Sequence, residues 1–175
     1  MSEHVFNILQ EQDVPSHYID SDLAKKNMVV WKAQTFGQGL EVVCRFKAYG
    51  SLLRRYAHYA QEFQPLNALV EVTLKDDERG DPLINDESLI QLGLLTEGEL
   101  ETIKALARKV AVIIKNALAL KGLALVDIKF EFGKVGQEIV VIDDISGDNM
   151  RVFKDGIQVP PRELSALPLI HISEP

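Results

Sequence analysis

The stretch from about Glu97 to Lys121 most narrowly limits what this 175-residue chain can fold into. Leu100, Ile103, Leu106, Ala107, Val110, Ile114, Ala117 and Leu118 recur at steps of three or four, so one stripe of a long helix must be buried. Thr96, with Glu99 three residues on, forms a capping-box pattern that satisfies two backbone donors the helix start leaves unpaired. Gly122 supplies the left-handed residue that ends the helix. The segments around it are strand-like. Leu123 to Phe132 and Glu138 to Asp144 are rich in β-branched and aromatic residues, and Gly133-Lys134-Val135-Gly136 between them is a hairpin signal. Upstream, Met28–Thr35 and Leu40–Phe46 read as strands joined by Gly37-Gln38-Gly39, which is expected to be a hairpin turn. Ala68–Leu74 alternates Leu69, Val70, Val72 and Leu74 with Glu71 and Thr73. Shorter helices are expected over residues 3–12, from Gly50-Ser51 through Tyr56, and near Asp86 to Leu92. The expected architecture is α+β, a mainly antiparallel sheet packed against one long helix over residues 1–158. Three prolines in the first ten residues from Val159 and no helical stripe predict an irregular tail over 159–175.

Composition closes off several function classes. Nineteen basic residues against 26 acidic ones give a net charge of −7, which argues against a general nucleic-acid or anionic-membrane binder. The most apolar run, Val110–Leu120, is broken by Lys115 and Asn116, whereas a membrane helix needs roughly 18–20 apolar residues. The N-terminal Met-Ser-Glu-His has no basic region followed by an apolar one, so no signal peptide is expected. One cysteine, Cys44, allows no internal disulfide, and the reducing cytoplasm is the natural compartment. Cys44 sits in an apolar strand and reads as a buried thiol. His4, His17, His58 and His171 are scattered without zinc-ligand spacing.

Three clusters carry candidate chemistry. In Val126-Asp127-Ile128-Lys129-Phe130-Glu131-Phe132 the apolar residues take one strand face. Asp127, Lys129 and Glu131 take the other, with like positions about 7 Å apart. The residues alone leave two readings open, a solvated face with cross-strand ion pairs or a functional row. Asp143 and Asp144 end the apolar run Ile139–Ile142, and Ser146, Asp148 and Arg151 follow. A polar turn explains them, and so does a Mg²⁺ site, since that ion takes one or two carboxylates plus substrate phosphate oxygens. Arg45-Phe46-Lys47-Ala48-Tyr49-Gly50-Ser51 puts two cations before a helix start, an arrangement that can cradle a phosphate.

Together these segments resemble the phosphoribosylaminoimidazole-succinocarboxamide synthase family, the purine-pathway ligases. The stretches that carry the resemblance are 41–51, 75–85, 125–133 and 142–151, with the long helix between the second and third. The resemblance covers roughly residues 4–154. It implies a SAICAR synthase-like fold and an ATP-dependent carboxylate–amine ligase that joins L-aspartate to carboxyaminoimidazole ribonucleotide with Mg²⁺. By motif position, Arg45 and Ser51 would hold the ribonucleotide phosphate. Lys75, Glu131 and Asp143 would face ATP and its metal, with Glu131 and Asp143 as the metal ligands and Lys32 and Glu41 near the adenine. Asp81, Asp127, Lys129 and Arg151 would line the substrate carboxylate and aspartate side, with Asp127, Lys129 and Arg151 taken as the catalytic set and Asp81 as substrate-binding.

The chain also departs from the family pattern. The family begins with a glycine- and lysine-containing hairpin over the ATP phosphates and an acidic strand, and nothing before Val5 supplies either. It also continues into a C-terminal helix. Phe46 and Tyr49 stand where smaller or polar residues are usual and are expected to crowd the nucleotide pocket, and Gly147 replaces the usual proline. Two readings follow. One is a compact ligase, completed by a second copy or by a partner that supplies the missing lobe. The other is a weakly active or inactive relative, or an incomplete enzyme, that binds nucleotide or purine intermediate.

Overall fold

The computed structural model describes residues 1–22, 24, 25 and 27–167. In chain order they form α1 (Ser2–Glu11), β1 (Tyr18–Asp22), β2 (Asn27–Val30), β3 (Gln34–Thr35), β4 (Leu40–Lys47), α2 (Ser51–Tyr56), β5 (Pro65–Leu74) and β6 (Leu83–Ile84). Then come α3 (Asp86–Gln91), α4 (Glu97–Ala119), β7 (Ala124–Val135), β8 (Glu138–Ile142), β9 (Met150–Lys154), β10 (Ile157–Gln158) and α5 (Pro161–Ala166). The α+β architecture is the one expected. α4 carries both halves of its capping box and buries Leu100, Ile103, Ala107, Val110, Ala111, Ile114, Ala117 and Leu118. Gly122, at φ +70°, turns the chain out of it. α1 buries Val5, Phe6, Ile8 and Leu9 in the same core. Among the described residues, no helix is long and apolar enough to cross a membrane.

β7 organises the sheet, whose order is β10-β9-β7-β4-β5-β6, with β8 and β3 also paired to β7. All of these pairings are antiparallel. Along one edge of β7, β8 spans Val135 to Glu131 and β9 then spans Ile128 to Ala124. These are two parts of one strand row interrupted by residues 143–149. On the other edge, β3 pairs at Lys134 and Gly133, and β4 takes over from Glu131 to Asp127. Gly37-Gln38-Gly39 is therefore not the hairpin turn expected from sequence. It is an excursion within a single row beside β7, made where Phe36 drops into the core.

Other expectations need correction for the same reason, tertiary pairing. Met28–Thr35 is not one strand, because its first half pairs with β1 and its end with β7. The β7–β8 turn lies at Gly136-Gln137, and β7 runs on through Gly133. At Gly133 a Cβ would come 2.8 Å from the Gln34 carbonyl oxygen, so glycine is what lets β3 close on β7. Within the stretch expected to be irregular, Pro161–Ala166 forms a short helix. It rests on Gly147, where a Cβ would meet the Pro161 carbonyl oxygen at 2.3 Å. Residues 168–175 lie outside the described residues.

Candidate functional site

Alternation splits β4 into two faces. Leu40, Val42, Cys44 and Phe46 turn into the core beneath α4, while Glu41, Val43 and Arg45 turn to the opposite face. Cys44 is fully buried, and burial pushes its thiol up to about 11, so it is an inert core residue. Phe46 lies on the helix side with Lys115 of α4 over its ring, which corrects the expectation that it crowds a nucleotide. Tyr49 instead packs on Phe63 and Phe153 and carries the Arg151 guanidinium on its face.

At one end of this face Arg45 is the hub, with only 3% of its surface exposed. Its Nε donates to Glu71 Oε2 at 2.7 Å, its Nη1 to Asp127 Oδ2 at 3.0 Å and its Nη2 to Ser51 Oγ at 2.9 Å. Asp127, 4% exposed, also accepts from Arg151 Nε at 2.9 Å and Nη2 at 2.7 Å. Arg55 of α2 donates to Glu71 Oε1 at 2.5 Å. Three guanidinium groups thus share two carboxylates, leaving one net positive charge that an anion can neutralise. Gly50 is required for this packing, since a Cβ there would fall 1.8 Å from Arg151 Nη1. Two cavities open on the cluster and share Val43, Arg45 and Ser51. One, of about 310 Å³, runs past Asp127, Lys129, Asn149 and Arg151. The other, of about 430 Å³, runs past Arg54, Arg55, Thr73 and Asp81.

Further along β7 the ion pairs change character. Lys129 Nζ donates to Glu41 Oε1 at 2.5 Å, and Lys75 Nζ donates to Glu131 Oε1 at 2.6 Å. The hydrogen bond that Lys75 donates to Glu131 raises the Lys75 pKa, and the charges of Asp143 and Glu41 add to it. Three carboxylates therefore share the field of one lysine. Asp143 stands where β8 leaves the β7 row, in the left-handed region at φ +64°. Its backbone oxygen faces Nε2 of buried His17 at 3.2 Å. Burial lowers the His17 pKa.

Among the described residues no three side chains of the His, Cys, Asp or Glu type form a metal cage. The hard oxygens of Glu131 and Asp143 still fit Mg²⁺, which takes most of its coordination from phosphate and water.

The structure gathers most of the sequence-derived residues on one face. Asp127, Lys129 and Glu131 form the expected row, but at Asp127 that face is buried rather than solvated. Asp81 borders the second cavity, and its Oδ1 accepts from the Asp76 backbone N–H at 2.9 Å. Lys32 is not gathered. It lies exposed between β2 and β3 and forms no hydrogen bond or ion pair among the described residues. Lys47 leaves the expected phosphate cradle for the ring of Phe63. The cations that stand beside Arg45 are Arg55 and Arg151. Arg55, Glu71 and His17 were missed from sequence, although Glu71 did alternate to the polar side of its strand.

The SAICAR synthetase family model matches residues 1–163. The chain is 49% identical over 164 residues to the phosphoribosylaminoimidazole-succinocarboxamide synthase of Clostridium tetani, covering 93% of this chain and 72% of that one. The protein of the same name from Pyrobaculum calidifontis is 39% identical over 153 residues, 87% of this chain and 62% of that one. The crystal structure of SAICAR synthetase from Pyrococcus horikoshii superposes with a TM-score of 0.82 at 35% identity, over 90% of this chain and 68% of that one. A SAICAR synthetase in complex with ADP gives 0.81 at 36% identity, over 90% of this chain and 66% of that one. The chain thus spans between 62% and 72% of the length of these two curated relatives.

Proposed function

The chain belongs to the SAICAR synthetase family, and from that premise we propose that its cleft joins L-aspartate to carboxyaminoimidazole ribonucleotide at the expense of ATP. The observation that carries the reading is the order of charges along β7. An arginine cluster surrounds Asp127, Lys129 lies in the middle, and Glu131 with Lys75 and Asp143 lies beyond. Asp127 and Glu131 are four residues apart, about 13 Å at strand rise. That spacing suits a ribonucleotide phosphate at one end, nucleotide phosphates at the other, and a reacting carboxylate between them.

A carboxylate is a poor electrophile, so the chemistry has two steps. A carboxylate oxygen takes the γ-phosphoryl group as the bond to ADP breaks. The aspartate amine then attacks the acyl carbon, phosphate leaves with the bonding electrons, and the amine gives up a proton. Arg45, Ser51 and Arg55 hold the ribonucleotide phosphate, Arg151 faces the reacting carboxylate from the Lys129 side, and Asp81 borders the second cavity. Lys129 and Lys75 supply fixed positive charge where negative groups crowd. Glu41 orients Lys129 through their ion pair. Asp127 holds the two guanidinium groups in register and acts as their positioning residue.

Glu131 and Asp143 would hold Mg²⁺, which would supply charge neutralisation for the nucleotide phosphates. Support for the nucleotide comes from the ADP complex of the 36%-identical relative. The cytoplasm, where these substrates meet, is the proposed compartment.

The test is calorimetry with Mg·ADP on wild type and Asp143→Asn. The substitution removes a charge at a strand end without touching the core, so the fold is retained. Mg²⁺-dependent affinity should drop at least about ten-fold, which corresponds to about 1.4 kcal/mol. Equal affinity in the two proteins would remove Asp143 from the metal site.

A further inference from the structure

Asp143 takes the left-handed backbone conformation at φ +64°, which aspartate adopts more readily than most residues but which persists only when its surroundings fix it. Something must hold it. The candidate is His17, which lies 126 residues away in sequence. The His17 backbone is locked to β8. Its N–H donates to the Val141 oxygen at 2.9 Å, and the Val141 N–H donates to the Pro15 oxygen at 3.0 Å. Its own carbonyl accepts from the Trp31 N–H at 2.7 Å. The ring is 7% exposed and packs 5.8 Å from the ring of Phe6. The imidazole therefore stands at a fixed distance from the end of β8, two residues past its anchor.

From there Nε2 reaches the Asp143 carbonyl oxygen at 3.2 Å. A carbonyl can only accept, so Nε2 carries the hydrogen and His17 is the donor. Asp143 is where β8 breaks from the β7 row, one residue past the Ile142 that pairs with Glu131, so its left-handed turn lies at the Glu131–Lys75 end of the cleft. Without the imidazole the Asp143 carbonyl loses its side-chain donor, and the backbone at residues 143 and 144 can rotate between the fixed points at Val141 and at Ile145, whose N–H donates to Ser2 Oγ, which carries the carboxylate off the cleft face. We propose that His17 is a positioning residue for the metal–nucleotide end of the site: it fixes the turn at Asp143 and, through that turn, sets how strongly Mg²⁺ couples to nucleotide binding. The inference rests on the proposed role of Asp143 as a metal ligand.

The readout is the ratio of ADP affinity with Mg²⁺ to ADP affinity in EDTA, measured on the full chain for wild type, His17→Leu, His17→Gln, His17→Asn and Asp143→Asn. Ribonucleotide affinity serves as the metal-independent control. Glutamine places an amide N–H near the position of Nε2, whereas asparagine is too short to reach the carbonyl. His17→Leu and His17→Asn should reduce the ratio at least about five-fold, His17→Gln should restore most of it, and ribonucleotide affinity should stay unchanged. Should His17→Leu not fold, the glutamine–asparagine contrast carries the same decision.

A ratio unchanged in His17→Asn while Asp143→Asn abolishes it would overturn the role of His17 alone. A parallel fall in every affinity at constant ratio would make His17 structural only, and would also overturn it. A ratio unchanged in Asp143→Asn would overturn the metal assignment itself, and this inference with it.

Discussion

Replacing Asp127 with asparagine tests the arginine cluster most sharply. The carboxylate receives three charge-assisted hydrogen bonds of 2.7–3.0 Å from two guanidinium groups and is almost fully buried. Removing one partner of a buried ion pair costs about 3–5 kcal/mol, because the remaining charge stays desolvated. Asparagine keeps one acceptor oxygen but turns an N–H₂ group toward a guanidinium, so the lower end, about 3 kcal/mol, is expected. For a chain of this length that corresponds to a fall in Tm of about 6–12 °C. The substitution also leaves the cluster with two net positive charges in place of one. Inorganic phosphate should therefore raise the Tm of the variant more than that of the wild type. The assay is a thermal melt with and without phosphate at fixed ionic strength. A variant that melts within about 2 °C of wild type would refute the burial argument. A phosphate shift no larger than that of wild type would refute the cluster as an anion site.

Three further outcomes are expected. Arg55→Ala removes a cation that lines the second cavity without touching Asp127, so ribonucleotide affinity should fall about three- to ten-fold while ADP affinity holds, as calorimetry would read. Gly50→Ala adds a Cβ into the Arg151 guanidinium at a φ of +57°, so it should weaken ribonucleotide binding and lower Tm together. The ion pair with Lys134 lowers the Glu99 pKa, so the unfolded chain takes up that proton at higher pH than the folded one. Stability from this pair is present above the ordinary carboxylate range and lost as pH falls through the depressed folded value. Denaturant melts should show wild type more stable than Lys134→Met at pH 7, with the gap closing in acid.

Much of this fold is legible because its signals are local. The α4 stripe, its Thr96–Glu99 cap and the Gly122 stop follow from nearest-neighbour geometry, and the structure reproduces all three. What sequence missed depends on pairing between distant segments. Met28–Thr35 looks like one strand because its residues suit any strand, and only β1 and β7 decide where each half goes. β9 and β10 were missed outright, since Met150–Gln158 carries no alternation strong enough to separate it from a polar loop.

The site divides in the same way. Asp127, Lys129 and Glu131 are legible because a strand places alternate residues on one face. Arg45 and Ser51 are legible because a strand end meets a helix start. Glu71 and Arg55 enter only through the β4–β5 register, which sets Glu71 opposite Val43 beside Arg45. His17 enters only through the bridge that joins Ser16 to Val141. Lys47 shows the converse, for its charge and position both suit a phosphate, yet a shift in the β4–β5 register between Arg45 and Lys47 leaves it over Phe63.

Central to the account is one cleft in which two phosphate-bearing ligands sit side by side, each on its own set of residues. The most direct measurement is a calorimetric titration of carboxyaminoimidazole ribonucleotide into the chain already saturated with Mg·ADP. The account predicts one further site per chain, with affinity little changed by the nucleotide and weakened by Arg55→Ala. Loss of ribonucleotide binding once Mg·ADP is present, with each ligand expelling the other, would contradict it.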